Sequence, residues 1–293
     1  FFKDFFSCCL ELFQYQRKNN EVYRNFIEHL PSFKEENVQS ISDFPFLPIQ
    51  FFKTQKVVST VSQNPTVFQS SGTTSENASK HFVHDIKLYE KSFLKCFEEF
   101  YGNIEGTCII GLLPSYLERK NSSLIYMVQK LMELSKHPKS GFYLHPEKEL
   151  VNYLHESDDK KILFGVTFAL LDFAEQNIAL RNTTIIETGG MKGKRKELIR
   201  EELHEILCDG FGVQTIHSEY GMTELLSQAY SLGNGIFECP AWMQILIRDT
   251  EDAMTYVNNG KTGGINVIDL ANINSCSFIA TQDLGKKYPN NSF

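Results

Sequence analysis

The chain has 293 residues, enough to bury a large core as one big domain or two moderate ones. Its 29 Lys and Arg against 36 Asp and Glu leave a formal charge of -7, which excludes the broad basic footprint of a nucleic-acid binder. Seven scattered cysteines form no C-x-x-C pair, which argues against a disulfide framework and a zinc knuckle and predicts a reducing, cytoplasmic compartment.

From the amino end, "FFKDFFSCCLELFQYQRKNNEVYRNFIEHL" places Phe2, Phe5, Phe6, Cys9, Leu12 and Phe13 at helical spacing, and "SDFPFLPIQFF" then breaks the pattern. Residues 1–60 are therefore expected to form a helical cap and connector, with 61–293 as the main domain, the two forming one large domain. Beyond residue 60, short β-branched runs alternate with amphipathic segments. Strands are expected at 107–113, 161–165, 183–188, 212–217, 243–247, 263–270 and 276–281, and helices at 82–100, 121–136, 146–156, 167–180 and 193–208. This alternation predicts an α/β fold with a mainly parallel sheet covered on both faces, whose ligands gather beyond the carboxyl ends of the strands. The later strands, with short Gly-bearing turns, read as more antiparallel. The longest apolar run, "ILFGVTFALL" at 162–171, is far short of the roughly 20 residues that span a bilayer, and no apolar signal core follows the amino terminus.

Four polar loops carry candidate chemistry. "SSGTTSENASK" (70–80) follows the strand-like "TVFQ" and precedes the expected helix at 82, so its backbone N–H groups, hydroxyls and Lys80 compose a workable phosphate cradle. It lacks the second glycine and adjacent lysine of a P-loop, and on its own reads first as a solvated turn. "IIETGGMKGKRKELIRE" (185–201) is a strand, a glycine turn and a basic helix, where Gly189 and Gly190 would let backbone approach a flat ligand. Lys192, Lys194, Arg195 and Lys196 read as the solvated first turn of that helix. In "HSEYGMTELL" (217–226), Tyr220 suits a base platform and Thr223 a phosphate donor, with Glu224 as an oxygen ligand for Mg²⁺. An N-capped helix start is an equal reading of the same pair. In "FIATQDLGK" (278–286), Asp283 after a strand could accept both ribose hydroxyls, although Asp-Leu-Gly is also an ordinary turn. Each loop alone is weak. All four at strand ends of one sheet make a joint case for a nucleotide.

The order of these motifs resembles the adenylate-forming superfamily. Ser71-Gly72-Thr73-Thr74 matches its phosphate loop, Tyr220-Gly221-Met222-Thr223-Glu224 its Y-G-x-T-E motif, and Thr281-Gln282-Asp283 its T-G-D motif with Gln in place of Gly. The stretches "LFGVTFALLDF", "ETGGMKGKRKEL", "HSEYGMTEL" and "GGINVIDLANINSCSFIATQDLG" are most similar to the acyl-protein synthetases of the LuxE type, with phenylacetate-CoA ligases as the next likeness.

The resemblance implies the large N-terminal domain of the adenylate-forming fold, with its small C-terminal domain beyond this chain. It implies ATP and Mg²⁺ as cofactors. Ser71, Gly72, Thr73, Thr74 and Lys80 would meet the phosphates, Gly189 and Gly190 the adenine pocket, and Tyr220 the adenine face. Thr223 would meet the α-phosphate, Glu224 the metal and Asp283 the ribose, with Thr73, Thr223 and Glu224 as the catalytic set. The implied reaction activates a carboxylic acid, a fatty acid by family likeness, as an acyl-adenylate and passes the acyl group to a thiol of a protein, carrier or CoA, with an acyl-reductase or transferase as partner. Ser75 replaces the usual second glycine, and Lys80 lies later than the commonest pattern. A phenylacetate-CoA-ligase-like enzyme and a non-catalytic nucleotide- or acyl-binding scaffold are the alternatives. A third reading, a nucleotide-free acyltransferase using Cys276 and His217, is weaker, because free Cys behaves as a small core residue. Trp242, after Pro240 at a strand start, reads as packing.

Overall fold

The computed structural model describes residues 4–30, 33–61, 63–71, 78–113, 121–144, 147–190 and 198–293. In chain order the elements are α1 (Phe5–Asn19), α2 (Glu21–Glu28), β1 (Leu47–Pro48), α3 (Phe51–Thr54), β2 (Thr66–Gln69), β3 (Lys80–Val83), α4 (Ile86–Tyr101), β4 (Cys108–Leu112), α5 (Ser123–Ser135), β5 (Gly141–Phe142) and α6 (Lys148–Glu156). They continue with β6 (Lys161–Gly165), α7 (Thr167–Ala174), β7 (Thr183–Glu187), α8 (Arg200–Phe211), β8 (His217–Tyr220), β9 (Ala229–Ser231), β10 (Met243–Arg248), β11 (Thr262–Asp269) and β12 (Phe278–Lys286). The chain divides into two compact units, one of residues 1–93, 222–228 and 238–293, the other of 94–221 and 229–237.

The second unit holds a six-stranded sheet in the order β5-β4-β6-β7-β8-β9, parallel throughout except for β9. Every residue of β4 and β6 is buried, as their unbroken apolar runs require when helices cover both faces of a parallel sheet. α7 is apolar on nearly every position and α8 approaches it closely. A Cβ on Gly210 would fall 2.6 Å from the Ala174 carbonyl oxygen, so only glycine permits the contact.

The first unit holds a four-stranded sheet in the order β1-β12-β11-β10, antiparallel apart from the β1 pair, and the β2-β3 hairpin. Its core is aromatic. Phe278 lies 4.8 Å from Phe44 and stacks on Tyr23 at 6.2 Å between centroids, with Phe13 and Phe46 around it. α1 is tied to this core through Gln16, wholly buried, whose amide donates to the carbonyls of Asn272 and Ile273 and to Ser277 Oγ and accepts from the Ser277 N–H.

Several boundaries differ from the sequence expectation, each for a physical reason. Residues 80–83 are strand rather than the start of the helix at 82. They pair antiparallel with β2, and α4 begins only after Asp85, whose carboxylate accepts from the N–H groups of Lys87 and Leu88. The helix at 167–180 stops at Ala174, since Asn177 takes a left-handed conformation. The helix at 193–208 runs instead from Arg200 to Phe211 and is closed by Gly212 in the left-handed region. Gly212 therefore belongs to a helix cap, and the strand expected at 212–217 is 217–220.

Candidate functional site

The loop at 70–80 joins two antiparallel strands rather than a strand and a helix. Gln69 pairs with Lys80, the Ser70 N–H donates to the Ser79 carbonyl at 3.0 Å, and Ser70 Oγ accepts from the Ser79 N–H at 2.9 Å. These bonds clasp the base of a β-hairpin, with Lys80 exposed at the start of β3. Gly72, Thr73 and Thr74, the heart of the expected phosphate loop, lie outside the described residues, as do Ser75 and the basic cluster Lys192, Lys194, Arg195 and Lys196. Ser71 is described and exposed.

Thr223 and Glu224 sit in a turn, not at a helix start. The Leu225 N–H closes the turn onto the Met222 carbonyl at 3.2 Å. Glu224 is 4% exposed. Burial, first of all, pushes its carboxyl above the usual range, a nearby Asp283 adds to this, and the Ser79 side chain and the Lys53 ammonium act the other way. A buried carboxylate offers hard oxygens to a cation. Among the described residues no group of three or more His, Cys, Asp or Glu could hold a metal, so a cation here would draw its remaining ligands from phosphate and water, the habit of Mg²⁺. The residues present fit that ion.

Asp283 lies within β12 rather than after it, and it is exposed. Its N–H donates to Thr281 Oγ1, which in turn donates to the Ile265 carbonyl. Gln282, at the position of the motif's glycine, is an exposed strand residue. Glu224 and Asp283 thus belong to the same unit and feel each other's charge.

In the second unit, Gly189 and Gly190 follow β7 with φ of 73° and 95°. Nothing lies within 4 Å of a Cβ built on Gly189. Its backbone conformation, not crowding, calls for glycine. Glu187, which sequence reasoning passed over, fixes this turn. It is 5% exposed and its Oε1 accepts from the Gly189 N–H at 2.8 Å and from the Thr167 hydroxyl. The Thr167 N–H donates to the Gly189 carbonyl, and the Thr188 N–H to the Gly165 carbonyl at 3.0 Å. The sequence signal was a lone carboxylate closing an apolar strand immediately before the glycine pair.

Tyr220 ends β8, half-buried, its ring at 6.0 Å and 64° to Phe237. Phe237 also lies 5.0 Å from the guanidinium of Arg200, which donates to Ser218 Oγ. The neighbouring Glu219 was also missed. Burial, with the charge of Glu187, raises its carboxyl to about 8.

Two further expectations are settled by burial. Cys276 is wholly buried, its thiol donates to the Phe278 carbonyl, and burial pushes it up to about 12. It is a core residue and no nucleophile. Trp242 packs as expected and also donates through Nε1 to Ser92 Oγ and Ser227 Oγ at 3.1 and 3.0 Å.

With the geometry given, the profile of the acyl-protein synthetase family, LuxE, matches residues 3–288. The chain belongs to the LuxE family. The chain is similar to 2-hydroxyisobutyryl-CoA ligase in an open conformation in complex with 2-HIB-AMP and CoA, with a TM-score of 0.73 and 12% identity over 97% of this chain and 64% of that one. It is also similar to ATP-bound MatB from Rhodopseudomonas palustris, with a TM-score of 0.56 and 13% identity over 80% of this chain and 48% of that one. At such identities the likeness is one of fold, and this LuxE-family chain spans less than two thirds of either ligase. No curated protein matches it. No helix among the described residues is long and apolar enough to cross a membrane.

Proposed function

We propose that this LuxE-family chain carries the nucleotide-binding part of an enzyme that activates a carboxylic acid as an acyl-adenylate and delivers the acyl group to a thiol. The observation that supports it most is Glu224, a buried carboxylate whose charge Ser79, just before β3, favours and which belongs to no group of three or more His, Cys, Asp or Glu able to hold a metal among the described residues. Similar solved structures contain ATP in one case and an acyl-AMP with CoA in the other. In this reading Ser71, Gly72, Thr73, Thr74 and Lys80 bind the β- and γ-phosphates. Thr223 donates to the α-phosphate, Asp283 accepts from the ribose hydroxyls, and Gly189, Gly190 and Tyr220 take the adenine. Mg²⁺ held by Glu224 would offset phosphate charge.

A carboxylate oxygen attacks the α-phosphorus, the bond from that phosphorus to the β-phosphate oxygen breaks, and pyrophosphate leaves. A thiolate then attacks the acyl carbon, AMP leaves, and a thioester forms. The chain's part is positioning and charge compensation, since a carboxylate needs little activation while the crowded anionic oxygens need offsetting. The acid is a fatty acid and the acceptor a protein cysteine, with an acyl reductase or transferase as partner, on the strength of the family alone. CoA is the alternative acceptor. We further propose that residues 1–60 serve as a cap and connector within one large domain.

The test is carboxylate-dependent exchange of labelled pyrophosphate into ATP by the full-length gene product, with fatty and aryl acids in parallel. Exchange with fatty acids is expected. Saturable Mg-ATP binding with no exchange for any acid would instead favour a nucleotide-holding scaffold.

A further inference from the structure

The hairpin base reaches across more than 140 residues of sequence. His81, 1% exposed in β3, places Nδ1 2.8 Å from the Thr223 carbonyl oxygen. A carbonyl only accepts, so Nδ1 carries the proton. Burial lowers the imidazole to about 4, which keeps the ring neutral. Two residues earlier, Ser79 is 2% exposed, closes the hairpin clasp, and has a side chain that favours the ionised form of the Glu224 carboxyl. One short stretch thus holds the main chain of Thr223 and acts on the side chain of Glu224.

The end of β11 completes the grip. Asn272, wholly buried, donates to the Glu224 carbonyl at 2.8 Å. Asp269 accepts from the N–H groups of Leu226, Ser227 and Ala271 and from the Ser227 hydroxyl. Four backbone groups of the turn, from the Thr223 carbonyl to the Ser227 N–H, are therefore fixed by side chains. A turn with this much external hydrogen bonding is held rigid by its surroundings rather than by its own sequence.

We propose that Ser79 and His81 are positioning residues that lock the Thr223–Glu224 turn to the start of β3, so that the Glu224 carboxylate is held in place for the metal and polyphosphate of a nucleotide. The inference rests on the reading of this turn as the phosphate and cation group. It adds that the lock is built into the chain before any nucleotide arrives.

Three variants test it: Ser79→Ala, His81→Leu, and His81→Asn, whose amide N–H stands where Nδ1–H stood. Each is titrated calorimetrically with Mg-ATP and with adenosine, its nucleotide-free melting midpoint is recorded, and the tautomer of His81 is read from ¹⁵N-resolved spectra of the parent. Loss of one polar interaction with a charged or buried group predicts about tenfold weaker Mg-ATP binding for Ser79→Ala and His81→Leu. His81→Asn should recover most of that loss, adenosine affinity should hold, and the parent should show Nδ1–H from pH 5.5 to 8. Folded variants that bind Mg-ATP like the parent, equal losses for Mg-ATP and adenosine, or an Nε2–H tautomer would each overturn the proposal. Ser79→Ala, a small change, keeps it exposed to refutation if the His81 variants fail to fold. Should the parent bind adenosine but not Mg-ATP, the phosphate reading falls and this inference with it. A parent whose Mg-ATP affinity is lost on Glu224→Gln but retained on Ser79→Ala and His81→Leu sinks the positioning claim alone.

Discussion

Glu224, buried, and Glu219, half-buried, are acids in the same short stretch, yet they call for opposite tests. Glu224 has a hydroxyl and an ammonium nearby that favour its charge. Removing that charge in Glu224→Gln should lower Mg²⁺-dependent adenylation by about 10²-fold or more, the usual cost of losing a preorganised charge-stabilising group, as measured by pyrophosphate exchange. Glu219 has no such support, and Glu187 opposes its ionisation. Its folded-state value of about 8 lies above the 4.5 of a free glutamate, so the folded chain holds a proton that the unfolded chain has released across that window. That contribution to stability is complete below 4.5 and is lost as the pH rises through 8. Glu219→Gln should therefore raise the melting midpoint more at pH 8 than at pH 5. His81 works in the reverse sense. Held near 4 against an ordinary 6.5, it contributes stability above 6.5 that is lost as the pH falls through 4.

At the level of elements, the two glycine-dependent turns make distinct predictions. Gly189→Ala forces a side chain into a left-handed backbone where space is open, so the cost is conformational, about 1–2 kcal/mol. Melting should shift modestly, and under the proposed reading of this turn as the adenine side, ATP affinity should fall as well. Gly210→Ala places a methyl 2.6 Å from the Ala174 carbonyl oxygen, and nothing there can move except two packed helices. The expected result is a lower denaturation midpoint of about 1–3 kcal/mol, the range for overpacking, with nucleotide contacts untouched. The elements themselves were legible where one period dominated. β4, β6, β7, β10 and β11 fall on their apolar runs. Legibility failed where backbone pairing or a helix cap decided the matter. "KHFVHDIKLYEK" carries a helical pattern from Phe82 onward, but pairing with Thr66–Gln69 makes its first four residues a strand. "GVQTIH" looks like a strand from Gly212, but Gly212 caps α8.

For the whole molecule, a ligand that binds only the folded state adds stability by mass action. Mg-ATP at a hundredfold excess over its dissociation constant adds about 2.7 kcal/mol, which for a chain of this size should raise the melting midpoint by several degrees. No rise, with either Mg-ATP or adenosine, would speak against a nucleotide site in any reading. The net charge of -7 makes it worth running the same experiment at two salt concentrations. Binding built on backbone amides and hydroxyls should weaken less with salt than binding built on surface lysines.

By itself the sequence determined the α/β class, the family and the order of the polar loop motifs, because apolar periodicity and short glycine- and hydroxyl-rich loops are local properties of the chain. It also marked Cys276 as core. The tertiary structure alone decided what holds those motifs. That Glu187 pins the glycine turn through Thr167, and that His81 and Asn272 clamp the main chain of Thr223 and Glu224, depends on partners brought from 20 to more than 140 residues away. No local pattern records such pairings, since a buried polar group satisfies its hydrogen bonds with whatever the fold delivers to it.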